Sequence, residues 1–272
     1  MNNFDVDTNG IYVNNEKVNV FYHDKFNDIC FSVEDTNFWF NNRNDILGNV
    51  INNFSKECIF ADGGGGNGYQ INFLAKKFPQ SVFLLIEPGY DGCRNAKKRG
   101  IQNVYNCTVE NFDFKGTNVN AIGLFDVIEH IESDVTFLKK LTEITSPDTL
   151  FYITTPSYNF LWNDMDTLGG HFRRYNKDSL IALGLEAGLV PVYFSYFFSY
   201  LIIPYLIFRV IPYRLGKKTN EEDIIKAELN GHRLSKILSK VFYPIHWIES
   251  YIIKQKGIIP FGTSSIMVFK KI

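Results

Sequence analysis

The sequence predicts an α/β fold, a parallel sheet covered by helices on both faces. Short apolar runs near 58–62, 82–87, 103–107, 121–126 and 149–154 alternate with stretches of helical spacing near 68–78, 90–99, 133–145 and 176–187. Such alternation specifies parallel strands, because each crossover between them needs a helix. Gly100, Pro147 and Gly188 stand where those helices should stop. The first run, Cys58-Ile-Phe-Ala-Asp62, ends in a carboxylate and passes through Gly63-Gly-Gly-Gly-Asn-Gly68 into the helix opened by Tyr69. This is how a strand, a tight loop and a helix N-terminus read in sequence.

Residues 1–37 are polar and rich in Asn and Asp, and the pieces Ile11–Val13 and Val18–Phe21 read as a small hairpin or arm outside the core. A helix then runs from Phe38 to Asn53, with Arg43, Ile46, Leu47, Val50 and Ile51 on one stripe. After the fifth run, Leu189–Phe194 forms a sixth strand, and Thr263–Phe269 alternates into a seventh. These boundaries divide the chain into an arm (1–37), a core (38–197), an insertion (198–257) and the last core strand (258–272).

The insertion is apolar and basic. No charged residue occurs from Leu189 to Phe208, which is long enough to span a bilayer. The first part is needed as strand six, however, and Pro191, Pro204 and Pro212 interrupt the stretch, so a hairpin lying in the membrane interface fits better. Tyr193, Tyr196, Tyr200 and Tyr205 suit such a boundary. Leu234, Ile237, Leu238, Val241, Phe242, Ile245 and Ile248 follow at helical spacing, and 209–256 carries ten Lys/Arg against five Asp/Glu. A basic apolar face attracts anionic lipid; the alternative is burial of that face on the chain's own core or in a homodimer.

With 272 residues the chain can bury a full core. A net charge of −1 gives no global field for nucleic acid, so no nucleic-acid partner is expected. Four scattered cysteines without a C-x-x-C pair argue for a reducing compartment and against a zinc or disulfide scaffold. The start lacks the charged and apolar regions of a signal peptide. The expected location is cytoplasmic, peripheral on the inner face of the membrane.

Two ligand classes compete for the glycine loop. Gly63, Gly65 and Gly68 satisfy the dinucleotide pattern G-x-G-x-x-G, while Asp62-x-Gly64-x-Gly66-x-Gly68 is an acidic strand end followed by alternate glycines. Glu87, closing the second strand, stands where an acid meets ribose hydroxyls and serves either class. The fourth strand runs into Asp126-Val-Ile-Glu129-His130. The acid-plus-alternate-glycine register resembles motif I of the class I S-adenosylmethionine (SAM) methyltransferases, and the acid-x-x-Glu-His segment resembles the one after strand four in small-molecule and RNA members. The resemblance covers roughly residues 38–192 and the last dozen.

It implies a Rossmann-like seven-stranded methyltransferase sheet, its last strand antiparallel between its neighbours, with the helical apolar insertion between strands six and seven. It also implies SAM as cofactor, bound by Arg43, Asp62, Gly64, Gly66, Gly68, Glu87, Phe125 and Asp126. Arg43 would pair with the methionine carboxylate; the alternative is a solvated arginine. After the fifth strand, Gly169-Gly-His171-Phe-Arg173-Arg174-Tyr175 offers His171 as catalytic base, because an imidazole titrates near working pH. Arg173 and Arg174 could instead pair with Asp164 or Asp166 and pin the loop. The His-x-Arg-Arg-Tyr string resembles bacterial methyltransferases of surface-glycan synthesis, which implies transfer to an oxygen of a glycan or lipid-linked small molecule.

In ubiquinone-pathway O-methyltransferases and small-RNA 2′-O-methyltransferases the matching acid, Glu and His bind a divalent metal. That makes Asp126, Glu129 and His130, joined by His171, candidate ligands; the alternative is that Glu129 and His130 only hydrogen-bond in the pocket floor. Two further readings stand beside transfer: an NAD(P)-dependent oxidoreductase, whose Tyr-x-x-x-Lys is not visible in the core, and a non-catalytic scaffold of SAM-binding fold in a membrane-surface glycan-assembly complex.

Overall fold

The structure is a computed structural model that describes residues 4–14, 24–217 and 240–272. Its strands are β1 (Phe4–Val6), β2 (Tyr12–Asn14), β3 (Ile59–Gly63), β4 (Val82–Ile86), β5 (Asn103–Asn106), β6 (Ala121–Phe125), β7 (Leu150–Pro156), β8 (Leu189–Phe197) and β9 (Ser264–Lys271). The helices are α1 (Asp24–Val33), α2 (Phe38–Phe54), α3 (Tyr69–Lys77), α4 (Tyr90–Lys98), α5 (Asp134–Ile144), α6 (Asp164–Leu168), α7 (Lys177–Glu186), α8 (Ile202–Tyr205) and α9 (Ile211–Arg214). A further helix, α10, covers residues 240–254.

One sheet runs β1-β2-β5-β4-β3-β6-β7-β9-β8. From β5 to β7 every pairing is parallel, and β9 enters antiparallel between β7 and β8. The seven strands β3–β9 are those expected from the sequence. Their apolar side chains fill two cores, one on each face, as a parallel sheet requires. Phe60 and Tyr152 lie in one, Phe151 and Phe269 in the other. Gly184 allows α7 to sit on β9, since a Cβ there would come within 2.2 Å of the Phe269 ring. Gly184→Val should therefore cost about 1–3 kcal/mol through overpacking, read as a lowered midpoint of chemical denaturation.

The sheet has nine strands rather than seven because the N-terminal residues join it. The hairpin is β1–β2, β2 pairs parallel with β5, and Ile11 is fully buried. The reading of this segment as an arm outside the core is thus corrected: one buried isoleucine is too weak a signal amid Asn and Asp. Val18–Phe21 lies outside the described residues.

Strand six also runs further than expected. β8 continues to Phe197 and buries Tyr193 and Tyr196, which corrects their assignment to a membrane boundary. Pro191 sits within the strand at a register shift, which is tolerable because β8 is an edge strand and proline donates no hydrogen bond.

The insertion leaves β8 as a helical run through α8 and α9. It returns along α10, which lies against α2 through polar contacts. Glu249 accepts from the Phe198 and Ser199 amides, which caps the start of the run. Asn49 donates to the Ser250 hydroxyl at 2.8 Å, and Asn53 to the Ile253 carbonyl at 3.0 Å. α10 therefore buries His246, Glu249 and Ile253 and leaves Val241, Ile245, Trp247, Ile248 and Tyr251 outside. Among the described members of the expected stripe only Phe242 is half-buried, stacked on Tyr200 at 5.0 Å. Leu234, Ile237 and Leu238 lie outside the described residues. No helix among the described residues is long and apolar enough to cross a membrane.

Candidate active site

A cavity of about 380 Å³ opens at the C-terminal ends of the parallel strands, where ligands bind in open α/β sheets. Four of these strands end in residues that line it: Asp62 in β3 and Gly64–Gly66 after it, Glu87 after β4, Phe125 at the end of β6 and Asp126 after it, and Pro156 at the end of β7. Arg43 reaches in from α2, and Cys30 and Glu34 from α1 and the turn after it. Glu129, His130, Met165, Asp166, His171 and Arg174 form the other end, closed by Tyr205 of the insertion.

The glycine loop is held by Glu87. Its carboxylate accepts the Gly66 amide at 2.8 Å and the Gly89 amide at 2.7 Å. Burial raises its pKa and these two bonds oppose the rise. Gly66 has φ +52 and nothing within 4 Å of where a Cβ would stand, so the loop forms a cradle open to a ligand. Gly68, at φ +73, has a different task. It caps α3 where a Cβ would come within 2.3 Å of Ile101, and it does not line the cavity. Its assignment to cofactor contact gives way to one in helix packing. We expect Gly66→Leu to fill the cradle and weaken cofactor binding at least tenfold in calorimetry, while the backbone strain lowers stability by only about 1–2 kcal/mol.

Asp62 is buried, and neither carboxylate oxygen has a hydrogen-bond partner among the described residues. Burial raises its pKa to about 7, with Arg43 opposing and Glu87 assisting. Arg43 is also buried, and its guanidinium pairs with Asp126 at 2.6 Å and donates to Thr154 at 3.4 Å. It is therefore not solvated: Asp126 pairs with it, while its Nε has no partner among the described residues. Asp126 holds this pose at φ 56, a conformation costly for a residue with a Cβ, and Thr154 bonds both its amide and its carboxylate.

The other end is a buried network centred on Asp166. This carboxylate accepts Arg174 Nε at 2.7 Å and Nη2 at 2.9 Å, the Asn163 amide at 2.9 Å and His171 Nδ1 at 2.9 Å. Burial alone would raise its pKa, but the bonds from His171 and Arg174 outweigh that and hold it below the ordinary value. An ionised Asp166 has no proton to give, so the hydrogen of that contact sits on His171 Nδ1 and the Nε2 lone pair is left for a partner in the cavity. The pinning alternative is realised, since Arg174 holds the loop through Asp166, and the same carboxylate orients His171. Arg173 pairs with Asp134 at 2.7 Å instead.

Glu129, His130 and His171 bring one ligand atom each within 4.8 Å of one another. Glu129 is fully buried with both oxygens unpartnered among the described residues, and its pKa is raised, first by burial and then by Asp126. Burial and His171 lower the His130 pKa to about 4, so its ring is neutral. Two imidazoles and a carboxylate suit a divalent ion, which would polarise an acceptor hydroxyl there. Asp126, bonded to Arg43 and Thr154, is not among those three.

Sequence reasoning missed Glu34 and Tyr205 as parts of this site. It offered Asp164 and Asp166 as partners of the two arginines, and the structure selects Asp166 for Arg174. The family described as "Methyltransferase domain" matches residues 52–193, more than half of the chain. No curated protein sequence matches the chain significantly. Among solved structures, a protein assigned as a sarcosine dimethylglycine methyltransferase from Galdieria sulphuraria is 16% identical with a TM-score of 0.55, the match covering 92% of this chain and 98% of that one. The plantazolicin methyltransferase BpumL, solved with S-adenosylhomocysteine, is 12% identical with a TM-score of 0.55 over 91% and 90% of the two chains. A phosphoethanolamine N-methyltransferase of Haemonchus contortus, solved with phosphomonomethylethanolamine and S-adenosylhomocysteine, is 12% identical with a TM-score of 0.59 over 92% of this chain and 58% of that one. The chain belongs to the methyltransferase-domain family, and it is a SAM-dependent methyltransferase of the class I, Rossmann-like fold.

Proposed function

We propose that the protein moves the methyl group of SAM to an acceptor oxygen on a glycan or lipid-linked small molecule at a membrane surface. SAM supplies, when bound, an activated methyl on a sulfonium sulfur. The chain's own part is to align the acceptor, exclude water and take up a proton. The cofactor end suits a cationic nucleoside: Asp62 offers two buried oxygens without a partner among the described residues, Glu87 braces the loop, and Gly66 leaves the cradle open.

The observation that carries the reading is the Asp166–His171 pair. A hydroxyl is a weak nucleophile until its proton is withdrawn, and His171 Nε2 accepts that proton as the methyl–oxygen bond forms. The imidazolium so made is stabilised by Asp166 at 2.9 Å. A non-catalytic scaffold has no use for such a pair. If a metal occupies Glu129, His130 and His171, the histidine serves as ligand rather than base, and chelation then stops turnover.

The membrane part of the reading rests on the insertion. In the described residues 198–217 and 240–257 there are six Lys/Arg and only one acid, the buried Glu249. Beside these cations Ile203, Phe208, Leu215, Trp247 and Tyr251 are exposed. Such a face suits anionic lipid. The exposed Phe160, Leu168 and Phe172 extend it beside His171, and Arg214 ties the two parts by donating to the Phe160 carbonyl at 2.9 Å.

Two measurements test this. Protein incubated with methyl-tritiated SAM should label a solvent extract of bacterial membrane lipids more than a soluble fraction of nucleotide sugars. Trp247→Glu with Phe208→Glu should lose flotation with anionic vesicles at unchanged SAM affinity. Deleting 198–257 is too blunt, because Tyr205 lies in the cavity wall. Label only in the soluble fraction, or flotation unaffected by the two glutamates, contradicts the membrane assignment.

A further inference from the structure

We infer that Tyr205, carried by the insertion, binds the acceptor by donating its phenolic hydrogen to an uncharged acceptor oxygen. The inference deepens the proposed O-methyl transfer and rests on it.

The argument begins with hydrogens. Tyr205 Oη accepts from Arg174 Nη2 at 2.8 Å and from Asn163 Nδ2 at 2.9 Å. The Asn163 amide cannot be flipped, because its Oδ1 accepts the Met165 amide at 3.1 Å and its Nδ2 donates to the Leu161 carbonyl at 3.0 Å. A phenol oxygen has one hydrogen and accepts about two bonds. Asn163 Nδ2 also lies 3.3 Å from Asp166 Oδ2, but neither it nor Arg174 Nη2 can accept, so the hydrogen of Tyr205 goes to neither and points elsewhere. No described group takes it, and the ring lines the cavity.

The ring is also held in place. The Arg174 guanidinium lies 5.4 Å over its centre. A preorganised donor of this kind favours a ligand that brings an oxygen lone pair.

Charge narrows the ligand further. The arginines lining the cavity are Arg43 and Arg174, and each is bonded to a buried or half-buried carboxylate, Asp126 and Asp166. Around them stand Glu34, Asp62, Glu87 and Glu129. A phosphate or carboxylate on the acceptor would meet no unpaired cation among the described lining residues and several acids. A hydroxyl or ether oxygen meets a ready donor. The acceptor group at this end is therefore uncharged and oxygen-bearing, as in a sugar ring, and the insertion completes the acceptor site as well as facing outward.

The test uses the full-length protein, methyl-tritiated SAM and the lipid extract named above. Tyr205→Phe should lower kcat/KM for the extract at least tenfold while SAM affinity in calorimetry stays within twofold. Because Phe also strands the Arg174 and Asn163 donors, a second variant separates binding from support. A ring-fluorinated tyrosine at 205 is a better donor and a poorer hydrogen-bond acceptor. Activity held or raised by it supports donation, whereas a fall like that of Tyr205→Phe reveals a purely structural role and overturns the inference. Transfer by Tyr205→Phe at the wild-type rate overturns it too. No transfer by the wild-type protein to any fraction overturns instead the oxygen-acceptor reading beneath it.

Discussion

Replacing Asp62 by Asn raises the melting temperature of the ligand-free protein at pH 8 and weakens SAM binding at least tenfold. Both effects have one cause. Asp62 is 1% exposed with two oxygens unpartnered among the described residues, and burial lifts its pKa from 3.8 to about 7. Between those values the unfolded chain has released a proton that the folded chain keeps. Stability therefore falls as pH rises through that window, by up to about 4 kcal/mol, and the loss is complete above the folded value. Asn carries no such cost, so several degrees of melting temperature should return at pH 8 and little should change at pH 4. SAM brings positive charge, which favours the ionised carboxylate. Its affinity for the wild-type protein should climb with pH toward 7 and above, and that slope should vanish in Asp62→Asn. A variant that binds SAM as tightly as wild type, measured by calorimetry across that range, would remove Asp62 from the cofactor site.

Asp166→Ala should lose both fold stability and transfer. The carboxylate is fully buried and takes two bonds from Arg174, which is itself 6% exposed. Removing it leaves a buried guanidinium without its counter-ion, which costs about 3–5 kcal/mol. It also frees His171 Nδ1, so the tautomer that presents the Nε2 lone pair is no longer enforced. Asp166→Asn separates the two effects: the shape survives, but transfer should fall at least a hundredfold because the imidazolium is unpaired. The depressed pKa of Asp166 gives the acid side its sign. Its contribution to stability is present above the ordinary carboxylate value and is lost as pH falls toward and through the lower folded value. If Asp166→Asn turns over like wild type, His171 is not the base.

The parallel core was legible in the sequence because each element there obeys one rule. Strands buried on both faces are short unbroken apolar runs, as in Val82–Ile86 and Ala121–Phe125, and glycine or proline ends the helices between them. The cofactor end was legible for a related reason: Asp62, Glu87 and Asp126 each stand at or just after the end of a strand, and the chain's order places strand ends at one edge. Where several weak signals had to combine, the reading failed. Ile11 alone did not announce a place in the main sheet. Pro191 lay inside the expected strand six, which an edge position tolerates, but nothing marked the strand's continuation to Phe197. On α10, by contrast, the stripe left lipid contact and burial both open; the partner surface on α2 offers Asn49 and Asn53, so the polar side faces inward and Val241, Ile245 and Ile248 stay exposed.

The sequence by itself determined the class of fold, the glycine cradle and the acids that surround it, because these depend on neighbours along the chain. Only the tertiary structure decided that Arg43 pairs with Asp126, that His171 leans on Asp166, and that Tyr205 walls the acceptor end. The Arg43–Asp126 and Tyr205–Arg174 contacts join groups 83 and 31 positions apart. What pairs with a buried charge is set by which elements the sheet brings together at its carboxyl edge, and no local spacing records that.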